Sequence, residues 1–96
     1  MSEKNNIIKY TQEDIDRIFE ERCTVGFYRA LLKKGIIAEW CFRYPNDSKT
    51  VDVVCAYSIS EETNDEEMGK KVCVEKIKKE LWKVCGQYSL ITNEKL

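Results

Sequence analysis

The chain has no histidine, a single proline, four glycines and no apolar run approaching the ~20 residues that span a bilayer. Each shortage excludes something. Without histidine there is no Ser–His–Asp or Cys–His nucleophile pair, and a structural zinc site loses one of its two ordinary ligand types. The five cysteines, at 23, 41, 55, 73 and 85, form no CxxC pair, so the sequence predicts no metal and reduced thiols that serve as small buried hydrophobes. The isolated glycines make no phosphate-cradling loop. The opening MSEKNNIIKY holds no apolar segment of signal-peptide length, which leads to the expectation of a cytoplasmic protein without a membrane span. A net charge of −1 gives no global pull toward DNA, RNA or anionic lipid. These absences together predict a protein that is not an enzyme and carries no cofactor.

What is present suffices for one small domain. Ninety-six residues with 43% hydrophobic content fill one core, and a chain this short leans on each large side chain or on a neighbour. Residues 1–9 read as a flexible polar lead. Thr11 then has the character of an N-cap, with Asp14 three residues on, Tyr10 and Ile15 spaced as a hydrophobic staple, and acids crowding the first turn. From Cys23 the period changes to two. Residues 23–32 read as a strand or as a short helix closed by Gly35; the strand is preferred because Lys33-Lys34-Gly35 also fits a hairpin loop with a left-handed glycine. Ile36, Ala38, Trp40, Phe42 and Tyr44 alternate with Ile37, Glu39, Cys41 and Arg43, and the aromatic set reads as core. PNDSK is a turn by composition. A third strand follows over residues 50–58. The predicted fold class is α+β: an N-terminal helix, a three-stranded antiparallel β-meander and a long C-terminal helix, all in one domain.

The long helix, DEEMGKKVCVEKIKKELWKVCGQY, carries two kinds of face. Thr63 and Glu66 have capping-box spacing. At 100° per residue Cys73, Val74, Ile77, Leu81, Cys85 and Tyr88 form a broad core-facing stripe, while Met68, Val72 and Trp82 fall on the other side. The second set predicts an interface with a neighbour, and hence a homo-oligomer. Gly86 is expected to end or bend the helix, leaving residues 89–96 as a tail.

The run from Pro45-Asn46 through Asp65, Glu66-Glu67-Met68-Gly69, Trp82, Gly86 and Tyr88 resembles the small phage proteins called the gene-product-forty-nine-like family. Departures are Asp47 in place of the turn glycine, Glu61 at a common proline position, and Gln87 between Gly86 and the aromatic. The resemblance implies a non-enzymatic phage or prophage accessory protein acting in the cytoplasm of an infected bacterial host. More distantly the plan is similar to anti-Thoeris proteins that sequester cyclic ADP-ribose-type signals. That similarity implies an anti-defence protein binding a small cyclic nucleotide; the alternative is an inhibitor that binds a host protein. A nucleotide needs cations for phosphates, aromatic faces for a base and amides for polar edges. Arg29, Arg43, Lys79, Lys83, Gln87, Tyr88 and Asn93 are the candidates of that chemistry.

Overall fold

The computed structural model describes residues 8–30, 35–57 and 66–96. Its elements are α1 (Gln12–Arg22), β1 (Cys23–Arg29), β2 (Gly35–Arg43), β3 (Lys49–Tyr57) and α2 (Glu66–Thr92). The α+β plan is the one the periodicities predict. All neighbours in the sheet, ordered β1-β2-β3, are antiparallel.

Local chemistry fixes the ends of these elements. Thr11 caps α1 in a complete capping box: its hydroxyl accepts from the Asp14 N–H at 3.1 Å, and its own N–H donates to Asp14 Oδ2 at 2.9 Å. The Thr11 N–H and the Lys95 ammonium hold the Asp14 carboxyl at a pKa of about 2. At the β2–β3 turn the Asp47 N–H donates to the Tyr44 carbonyl at 2.9 Å, and the Asn46 side chain accepts from the Ser48 N–H at 3.0 Å. Asp47 sits at φ 71, so the aspartate adopts the left-handed conformation for which glycine is the usual choice. Gly35 does the reverse. It opens β2, and no glycine among the described residues has positive φ, so the expectation of a left-handed Gly35 is corrected. The rest of that connection, and the Thr63 half of the expected capping box, lie outside the described residues.

Alternation sorts the sheet into two faces. Ile36, Ala38, Trp40 and Phe42 are buried against α2, joined by Ile15 and Ile18 of α1 and by Cys73, Ile77, Leu81 and Cys85 of α2. The i, i+4 spacing of the α2 set makes a narrow stripe, in which Val74 and Tyr88 sit at the half-buried margin and Ser89 continues the line. Gly69 lets α2 approach the sheet: a β-carbon there would lie 2.8 Å from Ile36 Cγ1.

Gly86 does not end the helix, which runs on to Thr92 and closes at Asn93 in the left-handed conformation, φ 62. The expected tail is therefore helical through Thr92, and a polar relay holds the last three residues against α1. The Leu96 N–H donates to Tyr10 Oη at 3.0 Å, Tyr10 bonds Ser89 Oγ at 2.8 Å, and the Ser89 hydroxyl donates to the Glu94 carbonyl at 2.7 Å. Lys95 reaches Asp14 at 3.0 Å and Lys78 reaches Asp16 at 2.9 Å. The acidic helix thus finds its lysines within the same chain.

Candidate basic cleft and the open sheet face

The outer face of the sheet is uncovered among the described residues. Tyr28, Val51 and Val53 are more than half exposed there, at 55%, 59% and 54%, beside half-buried Ile37 and Cys41 and the exposed Glu39. A trough of about 350 Å³ runs along this face between Tyr28, Thr24, Gly26, Glu39, Cys41 and Val51. It shares Thr24 and Cys41 with a smaller cleft of about 120 Å³ at the turn end, whose other walls are Glu21, Arg22, Cys23, Arg43 and Lys49.

The β2–β3 turn builds this cleft. It sets Arg43 directly opposite Lys49, and like charges facing each other across a strand pair are destabilising. Arg22, the last residue of α1, adds a third cation and is fixed by donating to the Arg43 carbonyl at 3.3 Å. Glu21, the acid in these walls, is paired with Arg17 at 3.2 Å. Among the described residues Arg22, Arg43 and Lys49 have no acidic partner. Three cations against one carboxylate around a polar recess suit an anion, whose charge would relieve their mutual repulsion.

The fold separates most of the residues selected from sequence. Arg43 lies on the outer face. Arg29 is at the far end of β1, ion-paired with Glu66 of α2. Lys79 and Lys83 are on α2, behind the sheet; Lys79 is exposed, and Lys83 lies 3.6 Å from Glu80. Tyr88 stacks on Tyr44 with ring centroids 6.1 Å apart, Gln87 is exposed, and Asn93 is the helix cap. Arg43 alone joins the cleft. Arg22, Lys49, Thr24 and Tyr28 were not selected. The turn itself held the missing signal, because a hairpin over Tyr44 to Ser48 must pair residue 43 with 49.

On the exposed flank of α2, Met68 and Trp82 are 56% and 39% exposed and Val72 is half-buried. At 100° per residue Glu75 and Lys79 fall between them, so the flank is a mixed face rather than an apolar patch.

All five thiols are free. Burial pushes Cys23 up to about 12 and Cys85 up to about 11, and raises Cys73; those three are poor nucleophiles at neutral pH. Among the described residues no cluster of acids and cysteines is placed to hold a metal ion, and no helix is long and apolar enough to cross a membrane. Set against known proteins, the chain matches no family model, no curated sequence and no solved structure.

Proposed function

We propose that this is a non-enzymatic phage accessory protein that sequesters a small phosphorylated nucleotide of the cyclic ADP-ribose or cyclic oligonucleotide class as an anti-defence protein, in line with the more distant similarity to anti-Thoeris proteins. The observation that carries the reading is the cleft of Arg22, Arg43 and Lys49, without an acidic partner among the described residues and opening on a trough that holds an exposed tyrosine. Cations answer phosphates, and the aromatic face answers a base. Sequestration asks for tight binding and no turnover, which fits a site of cations, hydroxyls and aromatics without a general base.

The second reading, an inhibitor that docks on a host protein, draws its support from Val51 and Val53 on the uncovered sheet face. A thermal-shift panel of cyclic ADP-ribose isomers and cyclic di- and trinucleotides separates the two. A binder at a hundredfold excess over its Kd stabilises the fold by about 2.7 kcal/mol, a rise in Tm on the order of 10 °C for a domain of this size. Arg43→Glu should abolish that rise. A panel without any shift would move the assignment to the protein-directed inhibitor.

A further inference from the structure

The sheet has two edges, and they are finished differently. The turn bond from the Tyr44 N–H to the Ser48 carbonyl, at 2.8 Å, sets the antiparallel alternation, which leaves the backbone of Val51, Val53 and Cys55 facing outward from β3. That edge is occupied: the Val53 N–H donates to Asp52 Oδ1 at 2.8 Å, and Lys76 Nζ donates to the Cys55 carbonyl at 2.6 Å. On the other side the Ala30 N–H donates to the Gly35 carbonyl at 3.1 Å, so the backbone of Cys23, Val25, Phe27 and Arg29 faces outward from β1. Among the described residues no hydrogen bond is made to the outward backbone of Val25, Phe27 or Arg29, while Cys23 is the C-cap of α1. From Cys23 to Tyr28 this strand has neither charge nor proline. An edge without such protection accepts another strand.

We infer that β1 pairs antiparallel with β1 of a second copy about a twofold axis at Gly26, and that the pairing sets Tyr28 of the second copy beside the basic cleft to complete a shared nucleotide site. This rests on the nucleotide reading and supplies the half that the cleft lacks, since none of its walls is aromatic.

Register decides the geometry. Hydrogen bonds form only between outward-facing residues, so Val25 pairs with Phe27 of the second copy and Cys23 with Arg29, while Gly26 meets Gly26 and Thr24 meets Tyr28. This register alone engages the whole of β1. Its centre is a pair whose Cα atoms approach to about 4.5 Å, where glycine leaves room. Thr24 and Tyr28 both lie on the outer face, and a twofold axis perpendicular to the sheet keeps the two outer faces on one side. Opposed side chains have Cβ atoms about 5 Å apart, so the Cβ of the second copy's Tyr28 stands opposite Thr24, and its ring, which lies over Gly26 of its own copy, turns about χ1 to reach the wall of the cleft. The chain's own Tyr28 is four residues along, about 13 Å away, and leans over Gly26, where an added Cβ would lie 3.1 Å from its hydroxyl. Phosphates on Arg22, Arg43 and Lys49 of one copy and a base on Tyr28 of the other account for a ligand of nucleotide shape.

The test uses the full chain. Sedimentation equilibrium without nucleotide should show a dimer at about 100 µM. Gly26→Lys, which sets two ammonium groups face to face at the axis, should give a monomer. Val25→Pro should do the same with an unchanged circular dichroism spectrum, because the N–H it removes is not used by β2. A wild-type monomer, or a dimer that survives both variants, overturns the pairing. Calorimetry with cyclic ADP-ribose or the panel's best cyclic nucleotide then tests the shared site. Tyr28→Ala and Arg43→Glu should each weaken binding tenfold or more. Mixed together, the two variants should regain binding at one of the two sites in each mixed dimer, because the intact Tyr28 and the intact Arg43 then meet across the axis. A mixture that stays inactive overturns the shared site. A dimer that binds nothing in the panel overturns the nucleotide reading and the shared site with it, while sedimentation still upholds the pairing.

Discussion

The two edge strands belong to one sheet and share one partner, β2, yet they treat solvent oppositely. β3 turns its outward N–H and C=O groups onto Asp52 and Lys76, at 2.8 and 2.6 Å. β1 spends no side chain on its edge among the described residues. An unpaired backbone amide in contact with water costs little, so the difference is not one of monomer stability. It is one of recognition: a strand whose one charge, Arg29, stands at its end is a template for another strand. The same contrast runs through the faces, where the inner one is filled by Ile77, Leu81 and Phe42 at 0% exposure while the outer one leaves Tyr28, Val51 and Val53 in water.

The largest effect should come from making the second edge like the first. Asp52→Val with Lys76→Ala strips both caps from β3, so the inferred dimer would gain two open edges and should grow into filaments, visible as a rise in light scattering over that of the wild type at the same concentration. The next effect is selective loss. Val25→Pro should weaken association at least a hundredfold, whereas Val53→Pro, which removes an outward amide from the other edge, should leave it within a factor of about three.

Smaller changes act on the fold without touching either edge and sharpen the comparison as controls. The two glycines of α2 should respond with opposite sign. Gly69→Ala forces a methyl to within 2.8 Å of Ile36 and should cost about 1–3 kcal/mol of unfolding free energy. Gly86 has nothing within 4 Å of an added Cβ, so Gly86→Ala should gain about 0.5–1 kcal/mol. Urea titration checks both, and neither should change the dimer's dissociation constant.

Acid supplies the mildest perturbation. The folded pKa of Asp14, about 2, lies below the ordinary carboxyl value of 3.8 because of the Thr11 N–H and Lys95. A depressed carboxyl contributes stability that is present above its unfolded pKa and lost as pH falls through its folded one. Docking of α1 and the C-terminal turn should therefore loosen between about pH 4 and pH 2, seen as changed Tyr10 and Leu96 resonances. Asp14→Asn should remove the Asp14 share of that transition and leave the share of Asp16, whose carboxyl is lowered by Lys78.

Much of the fold was legible because its signals are local. Thr11 with Asp14, the alternation from Cys23 onward and the turn composition of Pro45 to Lys49 each depend on neighbours in sequence. The C-terminal turn was not legible: Gly86 followed by a polar stretch argues locally for a tail, and only Tyr10 and Leu96, distant in sequence from Ser89 or from each other, explain why the helix continues. The site divided along the same line. Arg43 was selected as a candidate for phosphate by residue type. Lys49 and Arg22 join it through a hairpin register and a helix end, and the sheet puts Arg29, Lys79, Lys83 and Tyr88 out of its reach. The interface expected at Met68, Val72 and Trp82 came from helical spacing and from the cost of leaving an indole in water. That spacing overlooks Glu75 and Lys79 on the same flank, and gives no view of a strand edge whose donors are backbone.

Amide hydrogen exchange at Val25 and Phe27, followed residue by residue as the protein is diluted, tests the pairing at the bonds that would form it. If β1 pairs with β1 of a second copy, these two amides exchange slowly at about 100 µM and speed up as the dimer dissociates, while Val53, bonded to its own chain, exchanges at a rate independent of concentration. Fast exchange at Val25 and Phe27 at every concentration would contradict the account.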